Sequence, residues 1–567
     1  MSINIASVPA LSSIASPVRW YFPLTSGYSK AEISKKNRQY VLFDAEEKVK
    51  NPSLFALESE INRHPERARE DMPIAAQWDM VSDEELGRLT QHQLLAAQKA
   101  TQALRRIPLR DRIEVLQAFG TRLRTNPEKW RSLTAQESYS YNTFLVSLDA
   151  ILEIFKPEYF DFIEEILRPR FKPGSRARLE YSPQGVLGVI SPQNSSFPML
   201  TQVLHGAFLA GNALLIKPPH RLALVALALV DEFNRVLQDY GMPDHLLNTV
   251  IHPNTQKILG HWLGHSNRSF RIDNLVFIGN SKRRDDILKT CQQAGIFNPI
   301  IELEGVDAAY IHGDLTDALL RQTARLIAHA KNSGSGQFCV SLKRLYVHPE
   351  IYDPFMGYLR DEFQRYQPGS LKIDNPYILG PSALPHKLPS IVAAFEQAGA
   401  RVTLGGRRLN YYSEPDPEGL YIEPTLFEDV APDCDLLQSE IFANVLPVVK
   451  TPGRIEDAIT YINACPFGLR ASIFAQDLAV IEEMRHSLRV GTIIANGNPL
   501  DCSIQIAGGQ GGSTLDQHTR IWPIDLCFRQ IVSEGCGIKD LDEVLHGISP
   551  KRLPSLEGMK VHAPDRL

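Results

Sequence analysis

The chain has 567 residues, of which 43% are hydrophobic and 22% are charged, values typical of a globular protein with two or more domains. Its formal net charge of -5 argues against a general role in binding nucleic acids or membrane surfaces. Its seven cysteines form no CxxC pair and no Cys/His ligand spacing, which argues against a disulfide framework and a structural zinc site. We therefore expect neither a nucleic-acid partner nor a bound metal.

Membrane and export signals are weak in this sequence. The first residues lack a basic stretch followed by a continuous apolar stretch, so they predict no signal peptide. The longest apolar run, 222–230, is far too short to span a bilayer. We therefore expect no membrane partner and a cytoplasmic location.

The N-terminal third of the chain contains an extension, a region with a helical pattern and a predicted hairpin. Residues 1–85 mix proline, serine and short apolar pieces, and we treat them as an extension without an assigned chemistry. Apolar residues then recur with helical spacing between positions 83 and 155. Residues 168–182 predict a basic hairpin, which we interpret as a solvated or subunit-contacting surface.

From residue 184 onward, strand and helix patterns alternate. Short apolar runs predict strands at 186–190, 213–216, 247–251, 275–278 and 299–303. Helical patterns lie between them at 199–209, 223–237, 254–264 and 282–294. Because a crossover helix joins parallel strands, this region predicts a doubly wound sheet with its ligands at the carboxyl ends of the strands. A second alternating region follows Glu304 and predicts a second α/β unit.

The most informative loop is 332–339, which lies between a helical pattern and the apolar run 345–347. Gly334 and Gly336 allow a sharp turn that ends on Cys339. A thiol held on such a loop, facing the cleft between two α/β units, is well placed to act as a thiolate nucleophile. The alternative is that Cys339 is a small buried hydrophobe.

The nucleotide-binding signal from the residues alone is weak, because the sequence has no GxGxxG motif. Only the segment 277–281 has a strand, a glycine and a polar residue that opens a helix. This is the minimum for binding an anion at a helix N-terminus.

Short motifs occur along the chain in a fixed order: Glu302-Leu303-Glu304-Gly305, Gly336-Gln337-Phe338-Cys339, Tyr421-Ile422-Glu423-Pro424-Thr425-Leu426-Phe427, Ser439-Glu440-Ile441-Phe442 and Phe467-Gly468-Leu469. In this order and spacing they resemble the aldehyde dehydrogenase superfamily, from about Ala97 to Ile531. The resemblance implies an α/β fold with a Rossmann-type doubly wound nucleotide-binding domain, a second α/β catalytic domain and a small oligomerisation β-extension.

The resemblance also implies domain boundaries. It divides the chain into a nucleotide-binding domain at 86–167 and 183–304, a catalytic domain at 305–512, oligomerisation elements at 168–182 and 513–535, and a C-terminal tail at 536–567. A homodimer or homotetramer is expected on the same ground.

By this resemblance, Cys339 is the nucleophile, Glu302 the general base and Asn194 the side-chain donor of the oxyanion site. Glu304, two residues after Glu302, is a competitor for the role of the base if the strand continues. Gln193 stands where the family usually has an aromatic residue, and the proline that usually comes two residues after the asparagine is Pro198, four residues after it. We expect a substrate entrance that is more polar or differently shaped.

The residues that the resemblance assigns to the cofactor are Ile190, Ser191, Lys217, His220, Arg221, Gly279, Asn280, Ser281, Glu440 and Phe442. Lys217 would contact the adenosine ribose, and Glu440 the nicotinamide ribose. His220 stands where many NAD enzymes of the family carry a glutamate, and Arg221 could pair with a 2′-phosphate. The cofactor is therefore NAD or NADP. Asn280, Val306 and Ala443 depart from the family pattern and mark a divergent member.

The leading hypothesis is NAD(P)-dependent oxidation of an aldehyde to a carboxylic acid through a cysteine thiohemiacetal and thioester. One alternative is an acylating, CoA-dependent or thioester-reducing member of the same superfamily; Glu302 counts against it and the unusual nucleotide loop counts for it. The other is a non-catalytic scaffold that keeps only the fold. The sequence leaves the particular aldehyde open.

Overall fold

The computed structural model describes residues 18–23, 38–43, 77–78, 83–134, 141–171, 177–192, 194–219, 223–252, 254–264, 270–369, 375–382, 384–501, 509–514, 523 and 525–533. Within these ranges, no helix has both the length and the apolar composition needed to cross a bilayer.

A small antiparallel sheet and a group of helices come first. The sheet contains β1 (Val18–Pro23), β2 (Arg38–Phe43) and β3 (Gln77–Trp78) in that order. The helices that follow are α1 (Asp83–Leu104), α2 (Leu109–Thr125), α3 (Pro127–Thr134), α4 (Tyr141–Leu152) and α5 (Pro157–Leu167). The helical pattern predicted after residue 83 is thus confirmed. A 3₁₀ turn, Glu153–Phe155, separates the last two helices.

Helix α1 packs on the sheet that follows it in the chain. Leu86, Leu94, Ala97 and Leu104 are buried, and their successive spacings of eight, three and seven residues place them on one helical stripe. Two polar side chains of this helix also reach the sheet region: Gln93 donates to the carbonyl oxygen of Thr249 at 3.1 Å, and Thr101 to that of Gly185 at 3.4 Å. The helix is therefore packed against the first large sheet.

The first large sheet is parallel throughout. Strands β4 (Arg170–Phe171) and β5 (Ala177–Pro183) precede it in the chain. Its own strands are β6 (Val186–Ile190), β7 (Ala213–Lys217), β8 (Leu247–Thr249), β9 (Asn274–Ile278) and β10 (Ile300–Glu302). The crossover helices are α6 (Ser196–Ala210), α7 (Leu224–Asp239), α8 (Thr255–Leu263) and α9 (Ser281–Gln293). The strand order is β10-β9-β6-β7-β8, so the predicted doubly wound sheet is confirmed.

The second large sheet belongs to the region after Glu304. Its strands and the short strands beside it are β11 (Asp307–Ile311), β12 (Leu342–Val347), β13 (Gln367–Pro368), β14 (Ile378–Leu379), β15 (Arg401–Leu404), β16 (Arg408–Leu409), β17 (Tyr421–Ile422), β18 (Thr425–Glu428), β19 (Val445–Lys450), β20 (Phe467–Gly468), β21 (Arg470–Phe474) and β22 (Thr492–Ala495). The order is β15-β18-β19-β12-β11-β21-β22, and β15 pairs antiparallel while the other pairs are parallel.

Helices cover this second sheet as well. They are α10 (Asp317–Asn332), α11 (Tyr352–Phe363), α12 (Leu388–Gln397), α13 (Ile455–Asn463) and α14 (Leu478–Ser487), with 3₁₀ turns at Ser333–Gly336, Pro349–Ile351, Pro385–Lys387 and Asp435–Gln438. Helix α12 was not predicted. Strands β17 and β18 are separated at Pro424, because proline cannot donate a hydrogen bond to a neighbouring strand.

A separate antiparallel sheet is formed by β24 (Cys527–Ser533), β5 and β4, after the short strand β23 (Gln510–Gly511). It joins the two segments predicted as oligomerisation elements. Three of its apolar side chains are largely exposed: Phe171 at 66%, Phe528 at 56% and Ile531 at 78%.

The core also contains a lysine. Lys331, near the end of α10, is fully buried, and its Nζ has no hydrogen-bond partner among the described residues. Burial lowers the pKa of Lys331 well below its usual value of 10.5, with a further contribution from the charge of Lys343. A buried amine without a partner destabilises the fold.

We expect Lys331→Met to raise the free energy of unfolding by about 1–3 kcal/mol at neutral pH, as measured by urea denaturation. Because the unfolded chain holds the Lys331 proton up to pH 10.5 while the folded chain releases it earlier, wild-type stability rises with pH in this window. The gap between the variant and the wild type should therefore narrow as the pH approaches 10.5. A destabilised variant would contradict the assignment of Lys331 as a strained core residue.

Candidate active site

The loop that carries Cys339 turns sharply after α10. Gly334, Ser335 and Gly336 take φ values of 57°, 56° and 71°, the left-handed region that favours glycine. A Cβ on Gly336 would lie 2.4 Å from the carbonyl group of Ala443, so this position excludes a side chain. Ser335 is held there by a hydrogen bond from its Oγ to the carbonyl oxygen of Gly380 at 2.8 Å. The turn seats the loop tightly against its neighbours.

Cys339 is half-buried at the end of this turn. Burial raises the pKa of its thiol, and the nearby carboxylates of Glu302 and Glu440 raise it further, while the charge of Lys343 acts in the opposite direction. The thiol is therefore largely protonated at neutral pH. Its chemistry depends on a base or on a compensating positive charge.

Glu302 is the last residue of β10 and is 1% exposed. The chain just after it touches the cysteine loop, since a Cβ on Gly305 would lie 2.2 Å from the carbonyl oxygen of Cys339. The end of β10 also contacts residues 513 and 514: the Leu303 N–H donates to the carbonyl oxygen of Ser513 at 2.9 Å, and the backbone of Glu302 forms an isolated antiparallel β-bridge with Thr514. The structure thus brings Glu302 and Cys339 together.

Asn194 lies between β6 and α6 and reaches the same loop. Its Nδ2 donates to the carbonyl oxygen of Gln337 at 2.9 Å and contacts the Oγ of Ser195 at 3.4 Å. The amide is therefore held two residues from the thiol. This hydrogen-bond donor follows β6 of the first sheet and contacts the loop that precedes β12 of the second sheet.

Glu304 faces away from the thiol. Both of its carboxylate oxygens lie 2.9 Å from the backbone nitrogen of Ser281, and one of them accepts from the Ser281 Oγ at 3.0 Å. Ser281 is the first residue of α9, so this carboxylate occupies the N-terminus of that helix. Because Glu304, the competitor for the role of the base, is engaged with α9, Glu302 is the carboxylate of this segment that acts on the Cys339 thiol.

The rest of the predicted phosphate-binding loop is open. Asn280 is exposed and makes no capping hydrogen bond with its side chain. The Gly279 N–H donates to the carbonyl oxygen of Glu302 at 3.0 Å, and a Cβ on Gly279 would lie 2.4 Å from the ring of Phe277. The loop is thereby fixed to β10 next to Glu302.

Polar groups without strong partners lie at the carboxyl ends of β6 and β7. Lys217 is 5% exposed, its Nζ contacts the carbonyl oxygen of Pro218 at 3.4 Å, and burial lowers its pKa to about 8. The buried Oγ of Ser191 has no partner among the described residues. Ile190 pairs with Lys217 across the two strands. Buried polar groups at the carboxyl ends of the strands suit a polar ligand at this end of the sheet.

Glu440 lies on the opposite side of the cysteine loop. Its Oε1 accepts from the Gly305 N–H at 3.3 Å and lies 3.7 Å from the Nζ of Lys343. Burial raises the pKa of Glu440, and Lys343 opposes that shift. Phe442, two residues on, is half-buried. His220 and Arg221 lie outside the described residues.

Lys343, Ser513 and Thr514 were not singled out in the sequence. Nothing in the sequence marks Lys343, because a lysine at the start of a predicted strand usually lies on the surface. The contact of Ser513 and Thr514 with β10 joins positions more than 200 residues apart, which no local pattern reveals.

Two sheets, one parallel and one mainly parallel, meet at a half-buried thiol, and buried polar groups lie at the carboxyl ends of β6 and β7. This arrangement defines an α/β enzyme of the dinucleotide-binding type. The model of the aldehyde dehydrogenase family matches residues 88–529. The chain belongs to the aldehyde dehydrogenase family. It is an NAD(P)-dependent oxidoreductase that converts an aldehyde to a carboxylic acid.

Individual relatives are distant. The chain is 26% identical to 3,6-anhydro-alpha-L-galactose dehydrogenase of Vibrio sp. (strain EJY3) over 410 residues, which cover 71% of this chain and 82% of that protein. It is 26% identical to lactaldehyde dehydrogenase of Escherichia coli (strain K12) over 412 residues, 71% of this chain and 81% of that protein. The structure of glyceraldehyde-3-phosphate dehydrogenase GapN from Methanocaldococcus jannaschii complexed with NADP superimposes with a TM-score of 0.69 at 21% identity, covering 82% and 98% of the chains. This last likeness is one of fold.

The position of Glu304 generates a prediction for cofactor affinity. A phosphate group that approached the N-terminus of α9 would compete with this carboxylate for the Ser281 N–H. We expect Glu304→Gly to tighten the binding of NAD+ or NADP+ by about fivefold to tenfold, measured by titration calorimetry.

Adenosine, which carries no phosphate, is the matched ligand for this variant. Its affinity should be the same for Glu304→Gly and the wild type. Equal dinucleotide affinities of the two proteins would show that the carboxylate does not compete with the cofactor.

Proposed function

We propose that Cys339 is the nucleophile of the aldehyde oxidation, that Glu302 is its general base and that Asn194 is the side-chain donor of the oxyanion site. The observation that carries this proposal is the meeting of the three groups. The cysteine loop contacts the chain just after Glu302 and accepts a hydrogen bond from Asn194.

In the first step, the Cys339 thiol would release its proton to solvent, and the thiolate would attack the carbonyl carbon, so that the carbonyl oxygen becomes negatively charged. The Asn194 amide, which lies on the cysteine loop, would turn from the Gln337 carbonyl group to this oxygen, and the Cys339 N–H would be the second donor. A donor of this kind stabilises the developing alkoxide by about 3–4 kcal/mol in enzymes where one has been removed. The product of the step is a thiohemiacetal on Cys339.

The second half of the reaction requires a base. The nicotinamide ring would supply the hydride acceptor when bound, and loss of the hydride from the thiohemiacetal carbon would leave an acyl thioester on Cys339. Glu302 would take a proton from a water molecule that attacks this thioester, and the thiolate leaves. The burial of Glu302 at the end of β10, beside the cysteine loop, supports this assignment.

Residues at the ends of β6 and β7 would hold the cofactor. Lys217 and Ser191 have unused hydrogen-bonding capacity there, which suits the hydroxyl groups of a ribose. Gly279, Asn280 and Ser281 would lie along the phosphates, and Glu440 and Phe442 along the nicotinamide half. On this basis 86–167 and 183–304 form the nucleotide-binding domain, and 305–512 form the catalytic domain.

The function is tested by following the absorbance of the reduced nicotinamide. Purified protein is given lactaldehyde, succinate semialdehyde, 3,6-anhydrogalactose and a set of aliphatic and aromatic aldehydes, each with NAD+ or NADP+ and with or without CoA. The first three are taken from the names of relatives. CoA-independent turnover that Cys339→Ala abolishes is the expected result, and it would decide between NAD and NADP.

Other outcomes would overturn the proposal. Turnover only with CoA would identify an acylating enzyme. Nucleotide binding without turnover on any aldehyde would favour a scaffold that keeps the fold.

We expect Glu302→Gln to lower steady-state turnover by about 10²- to 10⁴-fold, because it removes the proton acceptor for thioester hydrolysis. A burst of reduced cofactor close to one per active site should remain, measured by stopped flow. Glu304→Gln, assayed at saturating cofactor, is the matched control and should retain turnover. Equal losses in the two variants would contradict the assignment of Glu302.

We also propose that the chain forms a homodimer or homotetramer through β4, β5 and β24, the sheet that includes much of 168–182 and 513–535. β24 lies at the edge of this sheet and exposes Phe528 and Ile531. An exposed edge with apolar side chains is suited to association with a second copy.

The free thiols of Cys291, Cys339, Cys434, Cys465 and Cys527 are in keeping with a cytoplasmic location.

We expect Phe528→Lys combined with Ile531→Lys to convert the oligomer into a monomer of 63.6 kDa, measured by analytical ultracentrifugation. The reason is that two charges on each copy would repel each other across the interface. Leu478→Lys is the matched control, since Leu478 is 73% exposed on α14, outside this sheet. A monomeric wild type, or dissociation by the control as well, would contradict the proposed interface.

A further inference from the structure

Lys343 is a buried lysine at the start of β12, directly below the cysteine loop. Its side chain is 1% exposed. Its Nζ donates to the carbonyl oxygens of Phe338 at 2.7 Å, Ser341 at 2.9 Å and Cys339 at 3.2 Å. A single ammonium group thus binds the backbone at Cys339 and on both sides of it.

The same ammonium group is shared with Glu440. The Nζ lies 3.7 Å from the Glu440 Oε1, and that oxygen also accepts from the Gly305 N–H at 3.3 Å. Gly305 in turn packs so closely against the carbonyl oxygen of Cys339 that a Cβ on Gly305 would lie 2.2 Å from it. Lys343 therefore connects the cysteine loop to the carboxylate proposed for the nicotinamide ribose.

The charges around the thiol are mostly negative. Carboxyl groups act on it from β10, β11 and the segment before β19: Glu302, Asp307 and Glu440. Lys343 is the cation among the groups that act most strongly on the thiol, and it lowers the pKa of Cys339 where burial and the carboxyl groups raise it. Lys331, on α10, acts on Lys343 and Glu440. A thiolate formed here depends on the charge of Lys343.

We propose that Lys343 is a positioning residue for the reaction, which fixes the backbone around Cys339 and supplies the positive charge against which the thiolate forms, while Glu440 competes for the same ammonium group. The proposal rests on the proposed role of Cys339 as the nucleophile. It explains how a thiol surrounded by carboxyl groups can ionise. It also predicts that the thiolate becomes more abundant when Glu440 is neutral.

The test measures thiol reactivity and needs no turnover. The rate at which iodoacetamide alkylates Cys339 is followed by mass spectrometry of its peptide, from about pH 6 to about pH 9, in the full-length protein. Lys343→Met removes the amine, Lys343→Gln keeps a donor without the charge, and Lys343→Arg keeps both. Lys331→Met is the matched control, because it removes a buried amine that makes none of the loop contacts.

We expect Lys343→Met and Lys343→Gln to lower the alkylation rate about tenfold at each pH, which corresponds to a rise of about one unit in the pKa of the thiol. Lys343→Arg should stay within about threefold of the wild type and Lys331→Met within about twofold, whereas Glu440→Gln should accelerate alkylation. If Lys343→Met does not fold, the Gln and Arg variants carry the comparison.

Three results would overturn the proposal. Profiles of Lys343→Met and Lys343→Gln that overlay the wild type would show that the charge is not used. An equal loss in Lys331→Met would show that any buried amine has the same effect. A loss that is larger for a bulkier alkylating reagent would indicate changed access, since a change in ionisation affects all reagents alike. Activity lost in Cys339→Ala tests the nucleophile separately.

Discussion

The close approach of Gly336 to the backbone of Ala443 is the constraint on which the site depends. It requires a residue without a side chain, and it forces the chain through a left-handed turn between α10 and β12. The turn seats the cysteine loop between the two sheets. From there the loop accepts the amide of Asn194 from one side and the ammonium group of Lys343 from below.

Electrostatics then gives different properties to carboxylates that lie close in the chain or in space. Glu302 is buried beside the thiol, whereas Glu304, two residues away, is held by the N-terminus of α9. Burial raises the pKa of Glu440, and the charge of Lys343 opposes this shift. The thiol lies among these groups, so the position of each positive partner decides whether a thiolate can form.

The carboxyl-terminal edge of the first sheet combines buried polar groups with a helix N-terminus that already binds a carboxylate. The ends of β6 and β7 offer Ser191 and Lys217, buried polar groups with little other use. At α9, by contrast, the helix N-terminus is taken by a carboxylate of the same chain.

The sequence by itself determined the alternating α/β plan, the strands of the first sheet and the identity of the cysteine loop. These features depend on local periodicity and on glycine at a turn, both of which can be read from short segments of the sequence. It also supplied Glu302, Asn194 and Cys339 as a set, through motifs that the family shares. The sequence did not predict helix α12 or the separation of β17 from β18 at Pro424, because tertiary contacts decide where such elements begin and end.

Only the tertiary structure decided where the charged side chains of the site point. Local pattern alone left Glu304 as a competitor of Glu302 for the role of the base, whereas in the structure Glu302 ends β10 and Glu304 binds the start of α9. Lys331 and Lys343 look like surface residues in any local pattern, yet both are buried. The physical reason is that burial, the partner of a charge and the resulting pKa are properties of groups brought together from distant parts of the chain.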